Sequence, residues 1–424
     1  MSIKVFKFGG ASLRDADNIK NVATILEKFK SENLLIVVSA MGKTTNALEE
    51  VVSSYFERNG KSFDILNGIR AKHEALIHEL LGENTAVLAD VNDIFVEVEW
   101  ILEDEPHDAY DYIYDQIIAI GELVSSKIVG AYLNTVGLPT TWLDARDVLR
   151  TDDTWREAVI DWESTLNNIK TVVKPIFDRN TEGSHFAITQ GFMGSTKDNN
   201  TATLGREGSD YSAAIFSHCL DAEAMFIWKD VPAVLSGDPR VFKDVVKLEQ
   251  ISYAEAVEMT YYGATVVHPR TIQPLMIKNI PLFVRSFIDH DAKGTRISAE
   301  APPQYPPILM AERNQIFLKI SNPDFTFLVE SHIRDLFDIF TKYHIFVNLM
   351  QNSGAYFYVS ITHAPDRERE LMREIREKFT VEEHHNLDLF TARHPNDKAI
   401  ADLKAGKRVF FEKTIPDTYQ VLVG

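Results

Sequence analysis

The chain has 424 residues and a formal net charge of -18, enough length for about two or three domains with their own cores, and a balance that argues against a nucleic-acid surface, which needs clustered Lys and Arg. Its single cysteine, Cys219, excludes an intramolecular disulfide and a multi-cysteine zinc site. Apolar runs such as LLIVV at 34–38 are far too short to span a bilayer, and the N-terminus has no signal-peptide core, so a cytoplasmic protein with no membrane partner is expected.

Residues 3–8 have the length and composition of a buried strand, and Ile19, Val22, Ala23, Leu26 and Phe29 follow at helical spacing. KFGGAS (7–12) lies between them as a strand-to-helix turn. Ser12 followed by Asp15 reads as a capping pair opening a helix over 12–30, which would converge the N–H groups near Gly9 and Gly10 on an anion beside Lys7. A snorkelling lysine next to a tight turn is the competing reading.

Strand 34–38 completes a βαβ unit and implies a parallel sheet with a right-handed crossover. Residues 44–135 read mainly as helix, with breaks near 59–60 and 105–106. Further strands are predicted at 140–143, 186–190, 224–228 and 282–286, several followed by polar, glycine-rich loops where an open α/β sheet places ligands. The fold class predicted for 1–300 is therefore α/β.

APPQYPP (301–307) marks a boundary. Beyond it strand 316–320, helix 331–343, strands 345–349 and 356–361, helix 367–378 and strand 387–392 give the βαββαβ order of a ferredoxin-like unit. A helix at 397–403 and strands at 409–413 and 419–423 look like part of a second copy. The expected regulatory region is thus 308–424, with units at about 308–385 and 386–424.

Three stretches carry candidate chemistry. In LLIVVSAMGKTTN (34–46) the GKT is not a P-loop, because the first glycine of that motif would fall at Val37; Ser39, Thr44 and Thr45 remain as ligand contacts or as a turn with a helix cap. In IIAIGELVSSKIVG (117–130), Glu122 sits inside an apolar helix, and spacing alone favours a solvated stripe over an inward carboxylate paired with a cation. TQGFMGSTKDNNTATLGREGSDYSAA (189–214) follows a strand, carries four glycines and opens a helix at Ser209-Asp210; its Arg206 suits a carboxylate clamp, unless the segment is only a structural Ω-loop.

Taken together, KFGGAS, VVSAMGKTTN, GELVSS, TQGFMG, LGREGSD, SGDPR and YYGATVVHPRTI, in this order and ahead of a paired C-terminal region, resemble aspartate kinase of the amino acid kinase family over essentially the whole chain. The resemblance implies an amino acid kinase fold, an open and mostly parallel sheet with helices on both faces, followed by ferredoxin-like ACT domains. It implies a monofunctional enzyme, without room for a homoserine dehydrogenase half, that uses MgATP to phosphorylate the side-chain carboxylate of L-aspartate. By family match Lys7 and Asp210 are catalytic. Gly9, Gly10, Lys229, Asp230, Arg240 and Thr265 would bind ATP, and Ser39, Thr45, Glu122, Arg206 and Ser209 would bind the amino acid; no protein metal site is implied, the Mg2+ arriving with ATP.

The chain departs from the family pattern in places. Thr265 stands where a lysine is usual and Lys229 where a threonine is usual, so Lys229 is read as replacing the missing charge at the ATP phosphates. Leu235 and Ala233 replace a common tyrosine and glycine. LVESHIRDLF (328–337) lacks a glycine frequent at the effector site, and Asn348 replaces an aspartate. A homodimer or higher homo-oligomer and a lysine or threonine effector at the ACT region are expected. Competing readings are a kinase for glutamate or N-acetylglutamate and a weakly catalytic amino-acid sensor.

Overall fold

A computed structural model describes residues 2–83, 86–178, 185–264 and 267–424. Two compact units are present, one of Met1–Val234, Leu248–Val257 and Val267–Ala301, the other of Leu235–Lys247, Glu258–Val266 and Pro302–Gly424.

The first unit opens with β1 (Ile3–Phe8), a 3-10 turn (Gly10–Leu13), α1 (Ala16–Glu27) and β2 (Asn33–Val38). Both faces of β1 are covered, so its residues form an apolar run interrupted by the half-buried Lys4 and the buried Lys7. The helix expected from residue 12 starts later. Ser12 N–H closes the turn onto Gly9 O at 2.9 Å, and α1 begins under Asp15, whose carboxylate accepts from Asn18 N–H at 2.9 Å. Asp15 reaches the third helical N–H, so it, and not Ser12, supplies the cap.

Five helices follow: α2 (Thr44–Glu57), α3 (Ser62–Leu81), α4 (Ala86–Glu103), α5 (Tyr110–Ile118) and α6 (Ile120–Thr135). The run Tyr110–Thr135 has the length and hydropathy of a membrane span, but most of it is buried inside the fold. Ile113, Ile117, Val124, Ile128 and Leu133 share one core with Phe6 of β1 and its neighbours, so the apolar surface is covered by protein.

The remaining elements are β3 (Thr140–Trp142), α7 (Ala145–Val148), α8 (Trp162–Asn168), α9 (Lys174–Asp178), β4 (Phe186–Gln190), β5 (Met193–Ser195), β6 (Thr201–Thr203), α10 (Gly208–Cys219), β7 (Ala224–Lys229), β8 (Gln250–Ser252), α11 (Tyr253–Tyr261), α12 (Pro269–Ile277), β9 (Leu282–Ser286) and β10 (Thr295–Ser298). Eight strands form one sheet in the order β3-β4-β2-β1-β7-β9-β10-β8. Every neighbouring pair in it is parallel except β9 with β10. The order reverses at β1, flanked by β2 and β7, and such a switch point opens a crevice at the strands' C-terminal ends.

The second unit contains β11 (Ile308–Ser321), α13 (Glu330–Lys342), β12 (Val347–Asn352), β13 (Phe357–Thr362), α14 (Pro365–Lys378), β14 (Thr380–Arg393), α15 (Asp397–Lys404), β15 (Val409–Ile415) and β16 (Thr418–Val423). These strands make one antiparallel sheet ordered β12-β13-β11-β14-β16-β15. Its first four have the ferredoxin-like order, with Leu336, Ile339, Phe340, Leu371 and Ile375 of α13 and α14 in one core. The strands expected at 316–320 and 387–392 are each 14 residues long and run through both halves of the sheet. Their polar middles, where the register shifts between Glu312 and Phe317 and Asn314 and Asn386 take positive φ, read as strand ends in sequence but are bulges in the fold.

Candidate active site

At the switch point a cavity of about 840 Å³ is lined by residues from β1, the loop after β2, α5, α6, residues 154–157 and the start of α10. Lys7 lies at the C-terminal end of β1, opposite Val37 of β2 and Ile227 of β7. Its Nζ is 2.6 Å from Asp210 Oδ1, and both side chains are nearly closed to solvent. The contact is an ion pair.

The two glycines after Lys7 have separate reasons. A Cβ on Gly10 would stand 2.7 Å from Ala40 O and 3.1 Å from Gly42 O, while Gly42 N–H donates to Gly10 O at 2.9 Å. Gly10 therefore lets the β1 and β2 loops touch through their backbones. A Cβ on Gly9 would meet Lys7 Nζ at 3.5 Å, an ordinary contact; Gly9 borders the site without being among its lining residues.

The loop after β2 supplies Ser39, and the first turn of α2 supplies Thr45. Thr44 caps locally, its Oγ1 donating to Met41 O at 2.7 Å. The start of α10 supplies Gly208, Ser209 and Asp210, so the helix N-terminus at the cavity is that of α10, not α1. Its position depends on Gly191, where a Cβ would fall 2.6 Å from Ser209 Cβ.

Glu122 is not on a solvated stripe. It is 3% exposed in the first turn of α6, where every residue from Ile120 to Ser126 is buried. A helix covered all round has no wet face, so the apolar neighbours that made a stripe plausible instead enclose the carboxylate. Burial pushes its pKa up to about 8, against the opposing pull of the Ala40 N–H and the Lys7 charge. Oε2 has no hydrogen-bond partner among the described residues.

Arg206 lines the cavity, and among the described residues no carboxylate pairs with it. Lys229 lines it too. Lys7 is in register with Ile227, and Lys229 is two residues further along β7, so strand alternation puts both lysines on one face of the sheet. Asp230 is exposed and outside the lining. Arg240 lies in the second unit, bonded to Asp238 at 2.8 Å with its side chain 88% exposed, and does not line the cavity. Thr265 lies outside the described residues.

Sequence reasoning missed one wall, made by Asp111, Tyr114, Phe192 and residues 154–157. Asp115 builds it. This buried carboxylate accepts from Arg156 N–H at 2.9 Å, Thr203 N–H at 2.8 Å and Thr203 Oγ1 at 2.6 Å. Burial raises its pKa and those bonds oppose the rise. Arg156, Phe192 and Glu207 also hold φ of 68°, 73° and 55°, a backbone region that non-glycine residues occupy at a cost and that concentrates at functional sites.

A cavity at a switch point is where an open α/β sheet seats a ligand, and the sequence pattern described as "Amino acid kinase family" matches residues 2–286. The chain belongs to the amino acid kinase family. This amino acid kinase is 31% identical over 354 residues to Lysine-sensitive aspartokinase 3 of Escherichia coli (strain K12), covering 83% of this chain and 76% of the relative. It is 36% identical over 298 residues to the chloroplastic Bifunctional aspartokinase/homoserine dehydrogenase 1 of Arabidopsis thaliana, covering 69% of this chain and 32% of the relative. The chain thus spans about a third of that relative's length. Two structures of E. coli aspartokinase III match 99% of this chain and 96% of theirs: the T-state complex with lysine and aspartate at TM-score 0.83 and 28% identity, the R-state complex with aspartate and ADP at 0.81 and 27%. Within its family the kinase groups with aspartokinases.

Proposed function

We propose that this amino acid kinase transfers the γ-phosphoryl of MgATP to the side-chain carboxylate of L-aspartate, giving 4-phospho-L-aspartate and ADP, the first step toward lysine, threonine and methionine. The observation that carries this reading is the convergence of the Lys7–Asp210 pair, Arg206 and the buried Glu122 on one cavity.

The chemistry needs alignment more than a base. The attacking carboxylate, with a reference pKa of about 3.9, is already ionised at neutral pH. Its oxygen forms a bond to the γ-phosphorus as the bond to the bridging oxygen breaks and ADP leaves with that electron pair. Lys7 neutralises charge on the transferring group from a fixed, dry position, and Asp210 fixes Lys7. Lys229 adds a second cation from the same sheet face. Arg206 takes the substrate's α-carboxylate in a fork, the ionised form of Glu122 takes its ammonium, and Ser39, Thr45 and Ser209 add hydrogen bonds.

No group of three or more His, Cys, Asp or Glu among the described residues is arranged to hold a metal ion, whereas one carboxylate beside lysines suits a cation held by phosphate oxygens. Mg2+ bound to the triphosphate supplies charge neutralisation there. The name of the lysine-sensitive relative and the lysine-bound T-state structure support an amino-acid effector, lysine, for this chain.

A hydroxamate trap of acyl phosphate tests the reading. Product with L-aspartate but not L-glutamate, lost in Lys7→Ala, is expected. Product with glutamate alone would make it a different amino acid kinase, and no product from folded protein that binds an amino acid would make it a sensor.

A further inference from the structure

Arg156 is anchored at both ends. Its backbone is tied to Asp115 through the 2.9 Å bond from its N–H, and its carbonyl oxygen would lie 2.9 Å from a Cβ on Gly205, the residue before Arg206. The guanidinium carbon lies 4.4 Å from the Tyr114 ring centroid, and Nη1 is 3.1 Å from Asp111 Oδ1. The residue holds φ 68°, a conformation that glycine takes without penalty. A long cationic side chain is therefore kept where the backbone favours none.

We propose that Arg156 is a substrate-binding residue of the cavity, a second guanidinium that joins Arg206 on the α-carboxylate of the amino-acid substrate. This rests on the reading above that the amino-acid end of the cavity is the Arg206 end. Three facts lead to it. Arg156 and Arg206 line the same cavity. Their loops are fixed to one another, since Asp115 ties Arg156 to Thr203 three residues before Arg206. The present partner of Arg156 is replaceable, because the Arg156–Asp111 pair is about half exposed on both sides and such pairs hold weakly in water. The stacking on Tyr114 keeps the guanidinium plane fixed while its carboxylate partner is exchanged, and Asp111 holds the group until substrate arrives.

The plainer reading, a surface staple between α5 and the 154–157 loop, makes different predictions. Arg156→Gly removes the guanidinium and relieves the backbone, so its melting temperature is expected to match or exceed wild type while the KM for L-aspartate rises about tenfold and that for MgATP does not. Asp111→Asn releases the guanidinium, and its KM for L-aspartate is expected to fall severalfold; a staple predicts a lower melting temperature and no change in KM. Arg156→Lys keeps charge without the fork and is expected to recover part of the loss.

Calorimetric binding of L-aspartate to wild type and Arg156→Gly asks the same question without turnover. Affinity about tenfold weaker in the variant supports the assignment even if wild type transfers no phosphoryl group, in which case only the kinase reading fails. Equal affinity, or an unchanged KM in an active enzyme, overturns the assignment and leaves the kinase reading standing. No L-aspartate binding by wild type overturns both.

Discussion

Lys7 Nζ stands 2.6 Å from Asp210 Oδ1 with 11% and 5% of the two side chains exposed, so each charge depends mainly on the other. Removing one partner strands the other. Lys7→Ala is expected to abolish acyl phosphate formation and to destabilise the fold by about 3–5 kcal/mol, read by urea denaturation. Asp210→Asn keeps the shape but not the charge, and a kcat lower by about 10²–10³-fold is expected. A variant retaining full turnover would remove the pair from the mechanism.

Glu122 gives the protein a pH dependence with a defined sign. Its pKa is pushed up to about 8 from an ordinary 4.5, so between these values the folded chain holds a proton that the unfolded chain has lost. Its contribution to stability is complete below about pH 4.5 and is lost as pH rises toward 8, at no more than about 1.4 kcal/mol per pH unit. Glu122→Gln is expected to flatten the fall in melting temperature between pH 5 and 8. An arriving ammonium favours the ionised carboxylate, so aspartate binding at pH 7 is expected to release a proton, measured by calorimetry in buffers of different ionisation enthalpy; absence of release would dissociate Glu122 from the ammonium.

Gly191→Ala tests how tightly the site is positioned. The added methyl would sit 2.6 Å from Ser209 Cβ and 2.7 Å from Ser209 Cα, and movement of the α10 terminus that carries Asp210 would relieve it. A kcat reduced by about 100-fold in a folded protein is expected; near-normal turnover would mean that β4 yields instead.

Asp115→Ala removes the acceptor of three donors. Leaving buried N–H groups unsatisfied is expected to cost about 3 kcal/mol and to raise the KM for L-aspartate, since the 154–157 wall loses its anchor. Loss of stability with no kinetic change would confine Asp115 to a structural role.

Lys229→Ala addresses the second cation. A KM for MgATP raised about tenfold, or a comparable loss of turnover, is expected from removing a charge-assisted contact. Unchanged kinetics would end the idea that Lys229 replaces the family lysine.

Much of this was legible in the sequence. Strands covered on both faces are continuous apolar runs, so β1, β2, β4, β7 and β9 could be found from their composition, and the glycine and hydroxyl loops after them pointed to the crevice. Lys7, Ser39, Thr45, Arg206 and Ser209 share that crevice because parallel strands release their loops at one end.

Other features depended on contacts between distant parts of the chain. The environment of Glu122 comes from packing on every side of α6, which no periodicity reports. The continuity of β11 and β14 through polar residues comes from their long mutual pairing, which a local reading breaks at the bulges. The wall carrying Arg156 is tied by Asp115 to Thr203, 88 residues away. Local patterns encode local backbone preferences and which face is apolar, whereas a buried charge and its partner meet only once the tertiary fold has closed around them.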